Sequence, residues 1–283
     1  MDNWWRYCLS FCVVMGLAGC DHLSNETYSH MEESERRRLA SEYISLAKRL
    51  ESGSPAAMLS LEKATRLDPR NEIAWKDLAS PYLRTGQYDQ WHAYMEKAIA
   101  LNPGSSQAER GRDRLHFLRD YAGALYDFDM TDSLTQDRPD YIRNTSVDYL
   151  RGLCYYGLDN DAKAEQYFDL YIQVEEEKTG TKQLDNMVYG YKAAMANAAH
   201  QYAQAEQYSK AGMALRPERA DLEYQLAYSL FMQGRISEAA AAVERCEALF
   251  RDGDYHRSHY YEVIDQLHLG RIEKLKEEVT CFM

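Results

Sequence analysis

The feature that most constrains this chain is an internal repeat. Leu61-Glu62-Lys63-Ala64 followed by Asp68-Pro69 returns as Met95-Glu96-Lys97-Ala98 followed by Asn102-Pro103, so the Ala pair and the Pro pair are each 34 residues apart. A period of that length marks one small supersecondary unit that cannot bury its own apolar stripe and must stack on copies of itself. In the clearest copy, Glu72 to Ser105, the residues Trp75, Leu78, Ala79 and Tyr82 share one face of a predicted first helix. Gly86 and Tyr88 mark the turn, and Met95 and Ala98 fall on a second helix that Pro103 cannot continue. An earlier copy, about Glu35 to Pro69, keeps Ala57, Leu61, Ala64 and Pro69 but has a weak first helix. Later copies are marked by Gly152, Tyr155, Ala164 and Phe168, by Ala205 and Pro217, and by Leu226, Ala227, Leu230, Gly234, Ala239 and Val243. With only 15 Gly and 6 Pro, local propensity favours helix almost throughout and leaves little room for a sheet.

These landmarks resemble the tetratricopeptide repeat, whose W-x2-L, Y, A-x3-F and terminal P pattern they follow. The resemblance implies an all-α fold: a right-handed α-solenoid of antiparallel helix pairs over residues 36–283, with partners held along the inner face made by first helices. Trp91 stands where the family places a small Ala, which predicts splayed helices at that crossing. The register fails over the irregular segment 105–144, where Gln107 to Asp129 reads as one helix or a degenerate pair and Asp132 to Pro139 as a polar break. Glu175 to Gln183 reads as a long loop, and the C-terminal cap 255–283 as a final helix pair, Tyr255 to His268 and Gly270 to Val279.

The start of the chain carries a different message. A short lead with Arg6 precedes an apolar run of 11 residues, Tyr7 to Leu17, too short for the ~20 that a spanning helix needs. Leu17-Ala18-Gly19-Cys20 looks like the lipobox of bacterial lipoproteins, which implies a signal peptide over residues 1–19, cleavage before Cys20 and lipidation there. The polar residues 20–35 then read as a tether. Asp21 resembles the residue that keeps some enteric lipoproteins in the inner membrane, and the choice between membranes stays open. The implied location is the cell envelope, with the mature part periplasmic. Of the remaining cysteines, Cys154 and Cys246 read as buried thiols, and Cys281 shares no metal-type spacing with them.

A formal net charge of −12 makes polyanions poor partners, and the largest basic block is Arg36-Arg37-Arg38. The sequence therefore reads as binding no nucleic acid. No nucleophile elbow, phosphate loop, H-E-x-x-H or calcium loop occurs, so no catalytic residue and no cofactor are expected. His256, His259, Glu262, Asp265 and His268 fall on a predicted helix, with His256, His259 and Glu262 roughly along one side. Such a set reads as a solvated cap face or, as the sharper alternative, a metal site.

Carrying the family's inner face onto the matching stretches gives a candidate partner-binding set of Lys76, Arg84, Tyr149, Tyr156, Asn197, Tyr224, Tyr228 and Phe231. Aromatic side chains suit peptide or helix recognition because they bury much area for little lost rotamer freedom. A lipobox joined to this repeat resembles the pilotin-like lipoproteins of pilus systems, which implies a scaffold that assists assembly of an envelope complex. An adaptor for peptidoglycan hydrolases or proteases is the alternative, suggested by Tyr155-Tyr156-Gly157.

Overall fold

A computed structural model describes residues 28, 30–134 and 141–283. The expected signal peptide, Cys20 and most of the tether lie outside the described residues, as does most of the polar break near 135–140. No helix among the described residues is long and apolar enough to cross a membrane.

The chain divides into two units at Ser106 and Gln107. In the first, α1 (Glu33–Ala47) pairs with α2 (Pro55–Leu67), and α3 (Glu72–Arg84) with α4 (Tyr88–Leu101). Local chemistry sets where these helices begin. Pro55 occupies the first turn of α2 while Ser54 Oγ accepts from Ala57 N, and Asn71 Oδ1 accepts from Ala74 N at the start of α3. The first helix is not weak. It begins at Glu33, and Ala40, Ile44 and Ala47 form a buried stripe against α2, while Arg37–Glu33 and Arg38–Glu42 pairs support its outer face. Nor does Trp91 splay its pair: it is buried, and α3 and α4 approach as closely as the other pairs do.

From Gln107 on, the second unit takes in most of α5 (Pro103–Asp113), which widens into a π-helical turn at Arg114–Leu118 and is followed by α6 (Tyr121–Leu134), so the irregular segment is a degenerate pair. A two-residue hairpin, β1 (Tyr141–Ile142) against β2 (Thr145–Ser146), leads into α7 (Val147–Gly157) and α8 (Asp161–Thr179). Then come α9 (Met187–Ala198) with α10 (Tyr202–Leu215), α11 (Ala220–Met232) with α12 (Ile236–Asp252), and α13 (Leu269–Cys281). The expected loop over Glu175 to Gln183 is mostly the end of α8, continued by a 3-10 turn at Gly180–Gln183, because Glu175 turns inward and accepts from Tyr141 Oη.

Four intra-pair turns share one construction. Gly86, Asp159, His200 and Gly234 each adopt positive φ, at 75°, 54°, 60° and 75°. The next residue's N–H reaches back five positions: Gln87 to Tyr82 O, Asn160 to Tyr155 O, Gln201 to Ala196 O and Arg235 to Leu230 O. This is the Schellman closure of a helix end. Asp159 and His200 hold it without glycine, at a conformational cost of roughly 1–2 kcal/mol each. At the crossing of α7 and α8 the family's small residue is Gly152, where an added Cβ would stand 2.4 Å from Phe168 Cδ1. The core of this unit gathers around Phe168 with Phe128, Leu150, Cys154 and Tyr191.

One expectation for the cap fails. Gly253 ends α12 in the left-handed region with φ of 90°, and the next helix begins only at Leu269. Residues 254–268 form no helix. They run as an irregular strap with bends at 255 and 259–261 and a turn at 264–265, and α13 alone closes the stack against α12.

Candidate functional site

The strap crosses the first helices of the second unit. Tyr191 on α9 donates from its hydroxyl to Ile264 O at 3.2 Å, and Tyr156 on α7 donates to Asp265 Oδ2 at 3.3 Å. Asp221 at the start of α11 accepts from His256 N at 2.7 Å. Arg119, just beyond the π-helical turn, donates to Glu262 O at 2.5 Å, and Tyr261 stacks on His116 with centroids 4.5 Å apart. Val263, Ile264 and Leu267 are buried beneath these bonds. Arg271, on the first turn of α13, completes the arrangement with a 2.6 Å bond to Asp265 Oδ1.

Beside the strap lies a cavity of about 270 Å³. Tyr156, Asn197, Tyr224 and Tyr228 line it, together with Gln225, Asp265 and Arg271. Four of the eight residues expected from the sequence therefore meet at one place. Asn197 is 5% exposed and its amide donates to Gln225 Oε1 at 2.9 Å and to Gln225 O, yet its own Oδ1 is buried without a partner. A buried acceptor left open is rare and calls for a donor. Burial, with the nearby Asp265 carboxylate, pushes the Tyr156 phenol up, so it stays protonated and donates. Burial lowers the Arg271 guanidinium, but Asp265 and Tyr224 outweigh it and raise it overall. The site can thus offer aromatic faces and a charge pair to an extended polar segment.

The other four expected residues stand elsewhere. Tyr149 does not face a groove: its ring is 5.0 Å from Tyr171 and 6.0 Å from Phe168, inside the core. It lies one helical turn before Gly152 and so shares the buried stripe of α7. Phe231 is half-buried and meets Phe282 edge to face at 5.6 Å. In the first unit, Lys76 is engaged by Glu72 at 2.5 Å and by Ser105 at 2.9 Å, while Arg84 donates to Ser52 at 3.1 Å.

The alternative metal face also fails to form. Its five residues sit on the strap, not on a helix; Glu262 bonds His268, Asp265 bonds Arg271, and the His256 ring is buried. Among the described residues no group of three or more His, Cys, Asp or Glu could hold a metal ion. Cys154 and Cys246 are buried free thiols, pushed up by desolvation, and Cys281 is exposed.

What sequence reading missed is the strap itself, with Asp265, Arg271 and Tyr191. Its one signal was Gly253, a helix-ending residue, since Val263, Ile264 and Leu267 fall at helical spacing and pointed to a helix instead.

No protein-family model matches the sequence, and no curated protein matches it. Solved structures do. One is the Cut9 and Hcn1 hetero-tetramer of the APC/C, with a TM-score of 0.62 and 14% identity over 91% of this chain, which spans 45% of that one. PilW, a type IV pilus biogenesis factor, is similar at a TM-score of 0.58 and 19% identity, over 79% of this chain and 96% of that one. PilF of Pseudomonas aeruginosa gives 0.60 and 17%, over 77% and 94%. Structural neighbours of this chain are tetratricopeptide-repeat proteins, and its fold class is all-α, of the tetratricopeptide solenoid type.

Proposed function

We propose that this chain is a lipid-anchored scaffold of the bacterial cell envelope that holds other proteins and assists assembly of a pilus or secretion complex, without catalysing a reaction. The observation that carries the reading is the cavity on the first helices of the second unit, where Tyr156, Tyr224 and Tyr228 meet Asn197 and the Asp265–Arg271 pair. The lipobox ending at Cys20 supports anchoring, since several acyl chains hold an acidic soluble domain to a bilayer with no basic patch. The likeness in fold to two pilus biogenesis factors over nearly their whole length supports the choice of process.

The reading is tested by pull-down from solubilised membranes with the full chain and with Asn197→Ala and Tyr228→Ala. Loss of the same envelope protein from both variants supports the site, whereas equal recovery from all three removes it. Anchoring is checked apart from this: Cys20→Ser should move the protein from the membrane to the soluble fraction, and an unchanged membrane fraction would refute lipidation.

A further inference from the structure

The strap occupies the face on which a partner would lie, and it shows what that face prefers. Read from the helices outward, the second unit meets the strap with an apolar floor for Val263 and Ile264, a Tyr191 hydroxyl for one main-chain carbonyl, and Tyr156 with Arg271 for one carboxylate. We propose that this face takes, in place of the strap, a short extended partner segment carrying two adjacent aliphatic residues followed by a carboxylate, so that strap and partner exclude one another. The inference rests on reading this face as the partner site, and it adds the chemistry of the partner and the means of its control.

Three observations argue for exchange over permanent occupation. First, the strap has no helix of its own and no strand partner. Apart from one main-chain bond, Ala220 N to Asp254 O at 2.8 Å, its anchors are side chains reaching single groups, and a competing segment with the same groups can make the same bonds. Second, it fits imperfectly. A space of about 20 Å³ remains beneath it, enough for about one water, and the 270 Å³ cavity remains beside it. Asp265, which presents the carboxylate, does so from the left-handed region at φ of 52°, a strain that a free segment need not carry. Third, the strap is not pulled straight. It bends at 255 and 259–261 and turns at 264–265, whereas the 16 residues from Gly253 to His268 could extend to roughly 53–58 Å, so straightening these bends gives it length with which to leave the face.

The test uses the full chain and a fluorescein-labelled peptide with the sequence of residues 259–268, followed by anisotropy. Asp265→Ala and, independently, Ile264→Ser loosen the strap, and hydrogen exchange over 254–268 reports the loosening. In a loosened variant the peptide should bind at least tenfold more tightly than to the unsubstituted chain. A peptide with Asn in place of its Asp should bind about tenfold more weakly, and Tyr156→Phe in the Asp265→Ala background should remove most of the gain. Faster exchange with no gain in affinity overturns the inference. So does unchanged exchange in both variants, because a strap that cannot be loosened cannot be exchanged. If pull-down still depends on Asn197 and Tyr228 while the peptide fails, only the exchange idea falls; if neither depends on this face, the proposed partner site falls with it.

Discussion

Replacing Tyr191 by Phe isolates one bond between the repeat scaffold and the strap. Tyr191 is 3% exposed; its ring lies 5.9 Å from Phe168 and 5.2 Å from Tyr156, and its hydroxyl donates to Ile264 O at 3.2 Å. Burial holds the phenol well above its ordinary range, so the hydroxyl stays a donor throughout the working pH. Phenylalanine keeps the ring and its packing and deletes only the donor. The Ile264 carbonyl is then left buried and unpaired, a loss of about 1–3 kcal/mol. Taking about 1.5 kcal/mol, the strap should open roughly ten times more often. Native-state hydrogen exchange with fragments covering 254–268 and, separately, α7 measures this directly. The strap amides should exchange roughly tenfold faster while those of α7 keep their rate, because the opening is local. Uniform acceleration across the second unit would mean that the hydroxyl supports the whole fold. No change in the strap would mean that the bond does not hold it. Either result refutes the reasoning.

Asp127 is fully buried and accepts from Arg110, Arg114 and Gln107, so Asp127→Ala should remove a buried carboxylate that three donors share and destabilise the second unit by about 3–5 kcal/mol, read as a large fall in its thermal midpoint. Burial works to raise Glu206, but hydrogen bonds from Lys210, Gln233 and Arg235 outweigh it and hold the carboxyl at about 2. Because its folded pKa lies below the unfolded value near 4.5, the stability it contributes is present above pH 4.5 and is lost as pH falls toward 2. Urea midpoints measured across that window should therefore fall less steeply in Glu206→Gln than in the unsubstituted chain, and equal slopes would discount the cluster.

The helix pairs were legible because their signals are local and repeat: Ala64 and Ala98, and Pro69 and Pro103, recur at the spacing a stacked unit demands, and Gly86 and Gly234 each mark a turn within a pair. The turns at Asp159 and His200 were hidden, since a Schellman closure tolerates Asp or His in the left-handed region and these residues carry no glycine signature. Tyr149 and Tyr156 show the limit most clearly. Both lie on α7, two turns apart on nearly the same side, yet one fills the core beside Phe168 and the other reaches the strap, a difference of position along one helix that only packing against α8 and α9 fixes.

Sequence by itself determined the all-α class, the repeat and the lipobox pattern, because propensity, period and spacing are properties of neighbouring residues. Tertiary structure alone decided that residues 254–268 leave the helical pattern and cross the first helices. That choice depends on Tyr156, Tyr191 and Asp221, which lie 109, 73 and 35 residues from their strap partners, and no local pattern encodes bonds over such separations.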